Sequence, residues 1–557
     1  METERPWSRV QRVATIPLGP PENKPLYSLL LDSARKHPSS ICLSYNGREL
    51  TYADVADLSA RFAGSLTRLG VKKGDRVAVQ LPNIPQFVIA YFGILQAGGI
   101  VVACNPLYKP DELNQQLSDS GAKSFIGCSD VVRGVDLFSS MAACQRTTEV
   151  EKVICTSVAD YLPAVKRRLA RLGGVVRVRR PGTLEFAELL LEAAPASPVP
   201  VDPKEDLALL QYTGGTTGVS KGAMLSHFNV YSMTVRGTSF LPLSEDDVFL
   251  AALPLFHVYG EVANLTIPLF VGAQIVLLPQ FHVEEVMKTI QSKKATIFCG
   301  VPAMFNAINS HKKAARFDLR SVRVCISGGA ALPVATRKKF IEITGGKLVE
   351  GYGLSETSAL THCNPVVAGE VKDGSIGIPF PETDAAVVAI DDPGRLLPVG
   401  EVGELAVKGD QVMRGYWSQP GETATAFHEG WFLTGDIARM DADGYFFIVD
   451  RKKDMINVSG EKVYPRDVEE VLFENPGVAD AAVVGMPDSF SGEAVKAFVV
   501  WKAEAPGKSE ADLIGFCSER MAGYKVPKHV EFVSEIPKSL PGKVLRRLLR
   551  DPTAPRS

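Results

Sequence analysis

The first clear pattern in the chain is an amphipathic helix that begins after Thr51. Thr51 and Asp54 match the Thr-x-x-Asp capping pattern, in which each side chain satisfies a free backbone N–H at the start of a helix. The apolar positions that follow fall on one helical face, and they are Val55, Leu58, Phe62, Leu66 and Leu69. Gly70 predicts the end of this helix, and the largely apolar run Val77–Leu81 predicts a strand directly after it.

Strands and helices continue to alternate along the first two thirds of the chain. After a second apolar run at 99–104, Pro110 opens a predicted helix that closes near Gly121. Five further strands each run into a loop rich in Gly, Pro or Thr, and we predict them at Leu207–Tyr212, Val248–Ala252, Gln274–Leu278, Ile297–Cys299 and Val322–Ser327. This alternation predicts an α/β protein with a mainly parallel sheet. In such sheets ligands bind where strands end, so the loops are where chemistry is expected.

The pattern changes twice towards the C-terminus. From Thr383 it becomes short alternating strands with turn dipeptides such as Asp443-Gly444, which predicts a small β subdomain at about 383–450. The charged run Asp450–Asp454 then precedes about 100 residues with their own α+β pattern, including a helix capped by Ser509. We therefore predict a large N-terminal body of layered α/β sheets with a β subdomain, a linker, and a small C-terminal domain.

Composition and charge narrow the functional class. The 557 residues carry 61 basic and 63 acidic side chains, a formal charge of −2, so a dedicated nucleic-acid binder is disfavoured. Nine scattered cysteines without a C-x-x-C pair predict reduced core thiols in a cytoplasmic protein. The first 20 residues lack the apolar region of a secretory signal. Two charge-free stretches, 77–108 and 262–283, contain too many Pro, Gly and Asn residues for membrane spans and predict buried strands and short helices instead.

The most informative loop is Tyr212–Gly222, which follows a predicted strand and has the sequence YTGGTTGVSKG. Glycines let successive backbone N–H groups turn towards one anion, while threonine hydroxyls and Lys221 add donors and positive charge. The segment is not a Walker A loop, because the pattern G-x-x-x-x-G-K-[ST] cannot be found in the chain. It predicts a phosphate-binding loop of another kind.

Three further segments suit a nucleotide less specifically. The segment Glu350–Thr357 begins like the dinucleotide-binding pattern G-x-G-x-x-G, but Glu356 stands in place of the third glycine. We therefore predict that Tyr352 stacks on a base and that Glu356 helps to bind Mg²⁺. Thr434-Gly435-Asp436 offers a carboxylate on a tight turn, which can accept from ribose hydroxyls. Pro537–Lys543 sets a lysine after a Pro/Gly turn near the C-terminus, where the alternative is a solvated tail lysine.

Together with Pro254-Leu255-Phe256-His257, these segments resemble the adenylate-forming superfamily over nearly the whole chain, from Thr51 to Arg547. Within it, 212–222, 450–460 and 523–527 most resemble bacterial long-chain fatty-acid–CoA ligases. The resemblance implies that ATP and a carboxylic acid form an acyl-adenylate and pyrophosphate, after which the CoA thiol displaces AMP. One departure is Ser220, where many relatives have proline.

The resemblance also implies a role for each matching position. The predicted ATP- and AMP-binding residues are Thr213, Gly214, Gly215, Thr216, Thr217, Gly218, Lys221, Gly329, Ala330, Ala331, Glu350, Gly351, Tyr352, Gly353, Ser355, Thr357, Asp436, Ile448, Arg451 and Lys543. The implied Mg²⁺ ligands are Glu356 and Thr213, and the resemblance implies that Asp436 and Arg451 bind ribose. The implied catalytic residues are Lys543, Glu356, Lys221, His257 and Thr213.

The resemblance further implies a domain division, a set of CoA contacts and an acyl pocket. The division is a body at 1–450, a hinge linker at 451–456 centred on Lys453, and a mobile α+β domain at 457–557. The implied CoA contacts are Ser459, Gly460 and Lys462, and the implied acyl pocket comprises Phe256, His257, Val301, Pro302 and Phe305, whose apolar members are equally well explained as plain core. Alternatives left open are an aryl or medium-chain acid–CoA ligase, an acyl-AMP ligase that loads a carrier protein, and a catalytically silent nucleotide or lipid sensor.

One stretch lies outside the shared motifs. Residues 166–180 contain seven basic and no acidic side chains, and Leu162, Val165, Leu169 and Leu172 recur near heptad spacing. This pattern predicts a basic amphipathic helix followed by an Arg-rich strand, suited to peripheral contact with anionic membrane at the inner face of the cell membrane. A solvated helix that packs its leucines on the body is the other interpretation. A homodimer is left open.

Overall fold

The computed structural model describes residues 5–132, 134–213, 220–459, 461–488, 491–507, 509–538 and 544–550. Two compact units emerge from the residue contacts. The larger unit comprises Ser8–Thr383 and Lys408–Ala426, and the smaller unit comprises Met1–Trp7, Asp384–Val407 and Phe427–Ser557. Each unit is described separately below, and the expected domain boundary at 450–456 stays a prediction.

A nine-stranded sheet forms one layer of the larger unit. Its strands, in spatial order, are Ile378–Pro379, His362–Cys363, Lys347–Tyr352, Val324–Ser327, Ile297–Gly300, Val248–Ala251, Gln274–Leu277, Ile41–Tyr45 and Arg48–Thr51. The six strands from Lys347–Tyr352 to Ile41–Tyr45 pair in parallel, and antiparallel pairs lie at both edges. The parallel centre confirms the α/β prediction.

A seven-stranded sheet forms the second layer. Its strands, in order, are Leu184–Glu185, Lys152–Thr156, Ser124–Cys128, Arg76–Gln80, Ile100–Ala103, Leu207–Thr213 and Lys221–Ser226. A small third sheet contains Val135–Asp136, Asp130–Val132 and Val175–Arg177. The predicted strands near 77, 100 and 207 are therefore confirmed, with ends that shift by one residue.

Helices flank these sheets as the patterns predict. They are Ser8–Ala14, Ser28–Lys36, Tyr52–Arg68, Pro85–Gln96, Pro110–Ser120, Ser139–Cys144, Ala164–Leu172, Phe186–Glu192, His227–Ser239, Val258–Glu261, Ile267–Val271, Val283–Lys293, Pro302–Asn309, Val334–Thr344 and Pro420–Ala426, with a π-helix at Val262–Thr266 and 3₁₀ turns at Ala314–Arg316 and Ser355–Thr357. The predicted capping box is present, because Thr51 accepts from the Asp54 N–H and Asp54 accepts from the Thr51 N–H. Every residue of Pro85–Gln96 is buried, so this part of the charge-free stretch 77–108 belongs to the hydrophobic core.

The other apolar stretch also breaks into short elements, as predicted. Val262–Thr266 is a π-helix, Ile267–Val271 a short helix and Gln274–Leu277 a strand. No helix in the described part of the chain has the length and apolar content that a bilayer crossing requires. All nine cysteines are buried and unpaired, as expected for core thiols.

The smaller unit contains two five-stranded sheets. The first comprises Asp384–Val388, Gly403–Lys408, Phe427–His428, Trp431–Met440 and Phe446–Arg451, and the second Glu461–Val463, Ile456–Val458, Gly492–Trp501, Val478–Asp488 and His529–Phe532. Its helices are Pro465–Glu474, Glu510–Ser518 and Arg546–Arg550, with a 3₁₀ turn at Gly523–Lys525. Ser509 caps its helix by accepting from the Asp512 N–H, as predicted. A β sheet followed by an α+β segment confirms the predicted fold class for this part.

The basic stretch forms a helix whose apolar side is exposed. We call Ala164–Leu172 the basic helix; none of its residues is buried, and Val165, Leu169 and Leu172 are 72%, 59% and 80% exposed. Val165, Leu169 and Leu172 therefore do not pack on the body, whereas Leu162 is half-buried, and the membrane interpretation stays a prediction.

The Arg-rich strand after the basic helix is neutralised within the fold. Arg177 pairs with Asp160 at 2.7 Å and with Glu185, and Arg180 pairs with Asp136 at 2.5 Å. The strand itself ends at Arg177, and Arg179 beyond it is 73% exposed and pairs with the exposed Glu188, so some basic surface remains after the basic helix.

Candidate active site

A hairpin of the seven-stranded sheet carries the predicted phosphate loop. Its strands Leu207–Thr213 and Lys221–Ser226, the phosphate hairpin, pair so that Thr213 lies directly opposite Lys221. The Ser220 hydroxyl donates to the Thr213 carbonyl at 2.6 Å and thereby closes the base of the loop. The residue that departs from proline thus restrains the loop by a hydrogen bond. Five predicted site residues lie outside the described part of the chain, and they are Gly214, Gly215, Thr216, Thr217 and Gly218.

Tyr416 joins Lys221 to the predicted Mg²⁺ ligand Glu356. The Tyr416 hydroxyl donates to Glu356 Oε1 at 2.9 Å, and Lys221 Nζ lies 5.1 Å from the centroid of the Tyr416 ring. Burial, reinforced by the negative charge of Glu356, raises the pKa of Tyr416 well above its usual range, so the phenol stays protonated and donates. The structure therefore brings Lys221 and Glu356, which are 135 positions apart in the sequence, to one aromatic ring.

The two loops predicted to frame a base follow neighbouring parallel strands. Val324–Ser327 pairs with Lys347–Tyr352 so that Ser327 lies opposite Glu350. Glu350 Oε2 accepts from the Leu332 N–H at 3.0 Å, which ties the loop containing Gly329, Ala330 and Ala331 to the end of the strand that carries Gly351 and Tyr352. These predicted residues therefore lie together.

Backbone crowding and a turn shape the rest of this segment. A Cβ atom on Gly353 would lie 1.9 Å from the Ala359 carbonyl oxygen, so only glycine fits there. Thr357 accepts from the Leu354 N–H at 3.0 Å and closes the short turn that contains Ser355 and Glu356. The sequence thus forces a tight turn that presents the Glu356 carboxylate.

The loop that carries Phe256 and His257 is fixed to the phosphate hairpin. Gln211, two residues before Thr213, donates to the Phe256 carbonyl at 3.0 Å. Asn83 donates to the carbonyls of Ala251 and Leu253 at 3.0 and 2.8 Å and accepts from the Leu255 N–H at 2.9 Å. Gln211 therefore links the predicted acyl-pocket loop to the phosphate hairpin, and Asn83 fixes the segment that leads into that loop.

His257 lies in dense surroundings and remains accessible. Its side chain is exposed, yet desolvation by the surrounding protein lowers its pKa, so the neutral imidazole predominates at neutral pH. His257 Nδ1 accepts from the Tyr259 N–H at 3.2 Å, which caps the helix Val258–Glu261. An accessible but desolvated side chain is typical of a residue that lines a recess.

The other acyl-pocket candidates divide between core and partly exposed positions. Phe305 is fully buried and packs edge-on against Phe298 and Phe340, with centroid distances of 5.3 and 5.0 Å. Val301 is also buried, whereas Phe256 and Pro302 are half-buried. Phe305 thus belongs to an aromatic core cluster, and a pocket role for the group stays a prediction.

In the smaller unit, the predicted ribose residues lie opposite each other. Asp436 and Arg451 pair across the strands Trp431–Met440 and Phe446–Arg451, and Arg451 Nε lies 2.6 Å from Asp436 Oδ1. The Asp436 side chain is 2% exposed. Ile448, on the strand of Arg451, is half-buried. The guanidinium holds this carboxylate in one orientation.

The hinge candidate Lys453 is exposed and lies within a run of charges. Desolvation first, then the positive charges of Arg451 and Arg550, lowers its pKa to about 8 against the raising effect of Asp454. Asp450 is buried; it accepts from the N–H groups of Arg451 and Arg466 at 2.7 and 2.8 Å. Burial raises the pKa of Asp450 to about 6.

A buried arginine follows the predicted catalytic lysine. Arg546 donates twice to Glu469, at 2.7 and 2.9 Å, and contacts Asp454 at 3.4 Å. It also donates to the Val483 carbonyl at 3.1 Å. Lys543 itself lies outside the described residues.

The CoA candidates are exposed. Ser459 has a φ of +53°, a left-handed conformation that is unusual for serine, and its N–H donates to the Ser491 carbonyl at 2.8 Å. Lys462 is exposed on Glu461–Val463, and Gly460 lies outside the described residues.

Several residues of these sites were not predicted from the sequence. Tyr416, Glu422, Gln211 and Arg546 each contact a predicted site residue or its loop, from distant or unremarkable sequence positions. Only the arginine had a signal, because it lies three residues after the segment Pro537–Lys543. In the described part of the chain no group of three or more His, Cys, Asp or Glu side chains is arranged for a metal ion.

The chain is similar to known proteins over nearly its whole length. Residues 30–417 match the model of the AMP-binding enzyme family, and residues 467–543 match the AMP-binding enzyme C-terminal domain. The chain is 42% identical to a long-chain-fatty-acid–CoA ligase of Bacillus subtilis, over 99% of this chain and 98% of the relative, and 39% identical to one of Escherichia coli, over 96% and 95%. A crystal structure of ATP-bound MatB from Rhodopseudomonas palustris superposes with a TM-score of 0.83 at 28% identity, over 95% of this chain and 99% of that one.

Proposed function

The chain belongs to the AMP-binding enzyme family, and we propose that it is an ATP-dependent ligase that joins a long-chain fatty acid to CoA. The fatty acid and ATP form an acyl-adenylate and pyrophosphate, and CoA then releases AMP to give acyl-CoA. The observation that carries this proposal is the end-to-end similarity to long-chain-fatty-acid–CoA ligases. The placement of Lys221 and Glu356 at one ring supports it, because attack of a carboxylate on ATP requires neutralised charge.

We propose that the phosphate hairpin binds the β- and γ-phosphates of ATP. Thr213 supplies a hydroxyl and Lys221 an ammonium at the two sides of the loop base. The oxygen ligands of Glu356 and Thr213 suit Mg²⁺, which takes few protein ligands and completes its shell with phosphate oxygens and water. Mg²⁺ bound there would neutralise phosphate charge, while Tyr416 orients the Glu356 carboxylate.

The remaining nucleotide contacts are assigned by the same resemblance. We propose that the loops 329–331 and 350–353 frame the adenine and that Ser355 and Thr357 shape the turn beside it. Asp436 and Arg451 are proposed to bind ribose, with Ile448 beside them. The tie between Glu350 and Leu332 supports the first assignment, since it keeps the two loops adjacent.

Lys543 is proposed to stabilise charge in adenylate formation only. The Lys543→Ala variant should lose adenylation yet form thioester from a synthetic long-chain acyl-adenylate and CoA at close to the wild-type rate. Equal loss of both half-reactions would contradict this role.

Lys453 is proposed as the hinge between the two half-reactions, and Ser459, Gly460 and Lys462 as CoA contacts. A Lys453→Pro variant should retain adenylate formation and slow thioester formation, because proline fixes one backbone dihedral. An unimpaired second half-reaction would contradict the hinge role.

The acyl pocket is proposed to form around Phe256, His257, Val301, Pro302 and Phe305. ATP–pyrophosphate exchange across saturated acids from C6 to C18 and a set of aryl acids tests the substrate class. Exchange should be highest with long-chain acids, and addition of CoA should yield acyl-CoA. Preference for aryl acids, or transfer to a carrier protein without CoA dependence, would favour the alternative ligases.

We further propose that the enzyme is cytoplasmic and contacts anionic membrane through the basic helix. The exposed apolar side chains and cations of this helix suit a lipid surface, from which fatty acids are collected. Vesicles containing phosphatidylglycerol should sediment the protein, and phosphatidylcholine vesicles should not. No homodimer contact is assigned.

The matched variants for this test carry three substitutions each. Neutralising Lys166, Arg168 and Arg171 to Gln should abolish vesicle binding, whereas neutralising the exposed residues Lys312, Arg316 and Arg320 should leave it unchanged. Equal binding by both variants would contradict the membrane proposal.

A further inference from the structure

Lys221 already has a negatively charged partner. Its Nζ contacts the Glu422 carboxylate, and the two residues are separated by 201 positions in the sequence. The Lys221 side chain is 18% exposed, and the Glu422 side chain is 50% exposed. The ammonium that is proposed to hold phosphate is therefore neutralised by a carboxylate that reaches into solvent.

The backbone around Tyr416 fixes where Glu422 lies. The Trp417 N–H donates to the Gly222 carbonyl at 2.8 Å, and the Met224 N–H donates to the Gly415 carbonyl at 2.9 Å. Residues 415–417 thus run alongside the second strand of the phosphate hairpin. The Tyr416 N–H also donates to Thr423 Oγ1 at 2.9 Å, which holds the helix Pro420–Ala426 against the same segment. Glu422 faces Lys221 because of this framework.

The charges in this cluster do not favour a permanent ion pair. Glu356 and Glu422 both lie near Tyr416, and the negative charge of each raises the pKa of that phenol. Two carboxylates thus share the neighbourhood of one ammonium. An arriving triphosphate competes with Glu422 for Lys221 and is repelled by the same carboxylate. Since Glu422 is half-exposed, it can exchange this contact for water at low cost.

We propose that Glu422 is an exchangeable counter-ion of Lys221, which the phosphates of ATP displace on binding and which pairs with the lysine again when pyrophosphate leaves. This inference rests on the proposed phosphate role of Lys221. It assigns Glu422 as a residue that sets affinity for polyphosphate anions. Nucleotide binding is weakened by the competition, and pyrophosphate release is assisted by it.

Isothermal titration with α,β-methylene-ATP and with pyrophosphate, at fixed Mg²⁺, tests the proposal on the full chain. Glu422→Gln keeps the size of the side chain and removes its charge. Exposed ion pairs change affinity by up to about five-fold, so the variant should bind both ligands about two- to five-fold more tightly than wild type. Pyrophosphate release, followed by stopped flow, should slow by a similar factor.

Two variants separate this proposal from the function on which it rests. Glu342→Gln removes an exposed carboxylate that pairs with Lys339 at 3.3 Å and serves as the charge-matched control, with unchanged affinity. Lys221→Ala should weaken binding of both ligands strongly. If Lys221→Ala weakens binding but Glu422→Gln leaves it unchanged or weakens it, the counter-ion proposal is overturned and the phosphate role stands. If neither variant alters binding, the phosphate role of Lys221 itself is wrong.

Discussion

The charged contacts around Lys221 in the larger unit differ from those around Arg546 in the smaller unit. Lys221 contacts the carboxylate of Glu422, a side chain that is 50% exposed. Arg546 is 13% exposed; its Nη2 donates to both carboxylate oxygens of Glu469, and its Nη1 contacts Asp454. Glu422 can therefore dissociate from Lys221 at low cost. Separating Arg546 from Glu469 and Asp454 would instead leave charged groups poorly compensated in a largely buried environment.

This difference indicates which charges serve ligands and which serve the scaffold. Arg546 lies three residues after Lys543 and is bound to Asp454, the residue after the hinge candidate Lys453. It holds the start of the helix Arg546–Arg550 against the segment that contains Asp454. In the proposed function, Lys221 instead keeps its charge available for exchange with phosphate.

Removing the buried cation should have the largest effect. Arg546→Ala removes the guanidinium that binds Glu469, whose side chain is 12% exposed, and leaves the buried Asp454 paired with Arg550, so we expect a loss of about 3 kcal/mol in the free energy of unfolding. Urea unfolding followed by tryptophan fluorescence measures it. Arg520→Ala, which removes a 38%-exposed arginine next to Glu519, is the control and should cost less than about 1 kcal/mol. An equal loss of unfolding free energy in Arg546→Ala and Arg520→Ala would contradict the structural role of Arg546.

Removing the exchangeable cation should damage activity and spare the fold. Lys221→Ala should lower kcat/KM for adenylation about 100-fold, the size of effect typical of losing a charge that stabilises a transition state. Its free energy of unfolding should change by less than about 1 kcal/mol. A large loss of stability with little loss of activity would reverse the assignment.

The buried pair of Tyr91 and Glu261 extends the comparison to a carboxyl group that has a phenol as its partner, and it can be tested through pH. Tyr91 donates to Glu261 Oε1 at 2.5 Å, and burial raises the pKa of Glu261 from 4.5 to about 8. Because the folded state holds this proton more tightly, the contribution of Glu261 to stability is complete below pH 4.5 and is lost as pH rises through 8. Relative to Glu261→Gln, the wild type should therefore lose stability across that window in urea titrations. Parallel stability curves for the two proteins would contradict this.

The smallest effect concerns the base of the phosphate loop. Ser220→Ala removes the hydrogen bond to the Thr213 carbonyl, and a single bond of this kind contributes about 1 kcal/mol. The KM for ATP should rise by less than about five-fold in exchange assays, and the exposed control Ser310→Ala should leave it unchanged. A lower KM in Ser220→Ala would show that the bond restrains the loop unproductively.

Local patterns predicted the elements of this fold well, because their signals lie within a few residues. The capping boxes, the alternation of strands and helices, and the turn at Asp443-Gly444 all depend on neighbours in the chain. Among the sites, the loops were found by their glycines, threonines and charges. Tyr416 and Glu422 were missed because their roles depend on a pairing between residues 415–417 and the phosphate hairpin, which no local pattern encodes.

The exposure of the basic helix was left open for a related reason. Its heptad-like leucines fit packing on the body and contact with a membrane equally well, and only the fold distinguishes the two. The internal ion pairs of Arg177 and Arg180 likewise depend on carboxylates from other segments.

Product analysis tests the central claim most directly. Purified protein is incubated with ATP, Mg²⁺ and a C16 or C18 fatty acid, first without CoA and then with it, and the products are separated by chromatography. The account predicts acyl-adenylate and pyrophosphate in equal amounts before CoA, and then equal amounts of AMP and acyl-CoA after it. Formation of ADP and phosphate, or acyl-CoA without an adenylate intermediate, would contradict it.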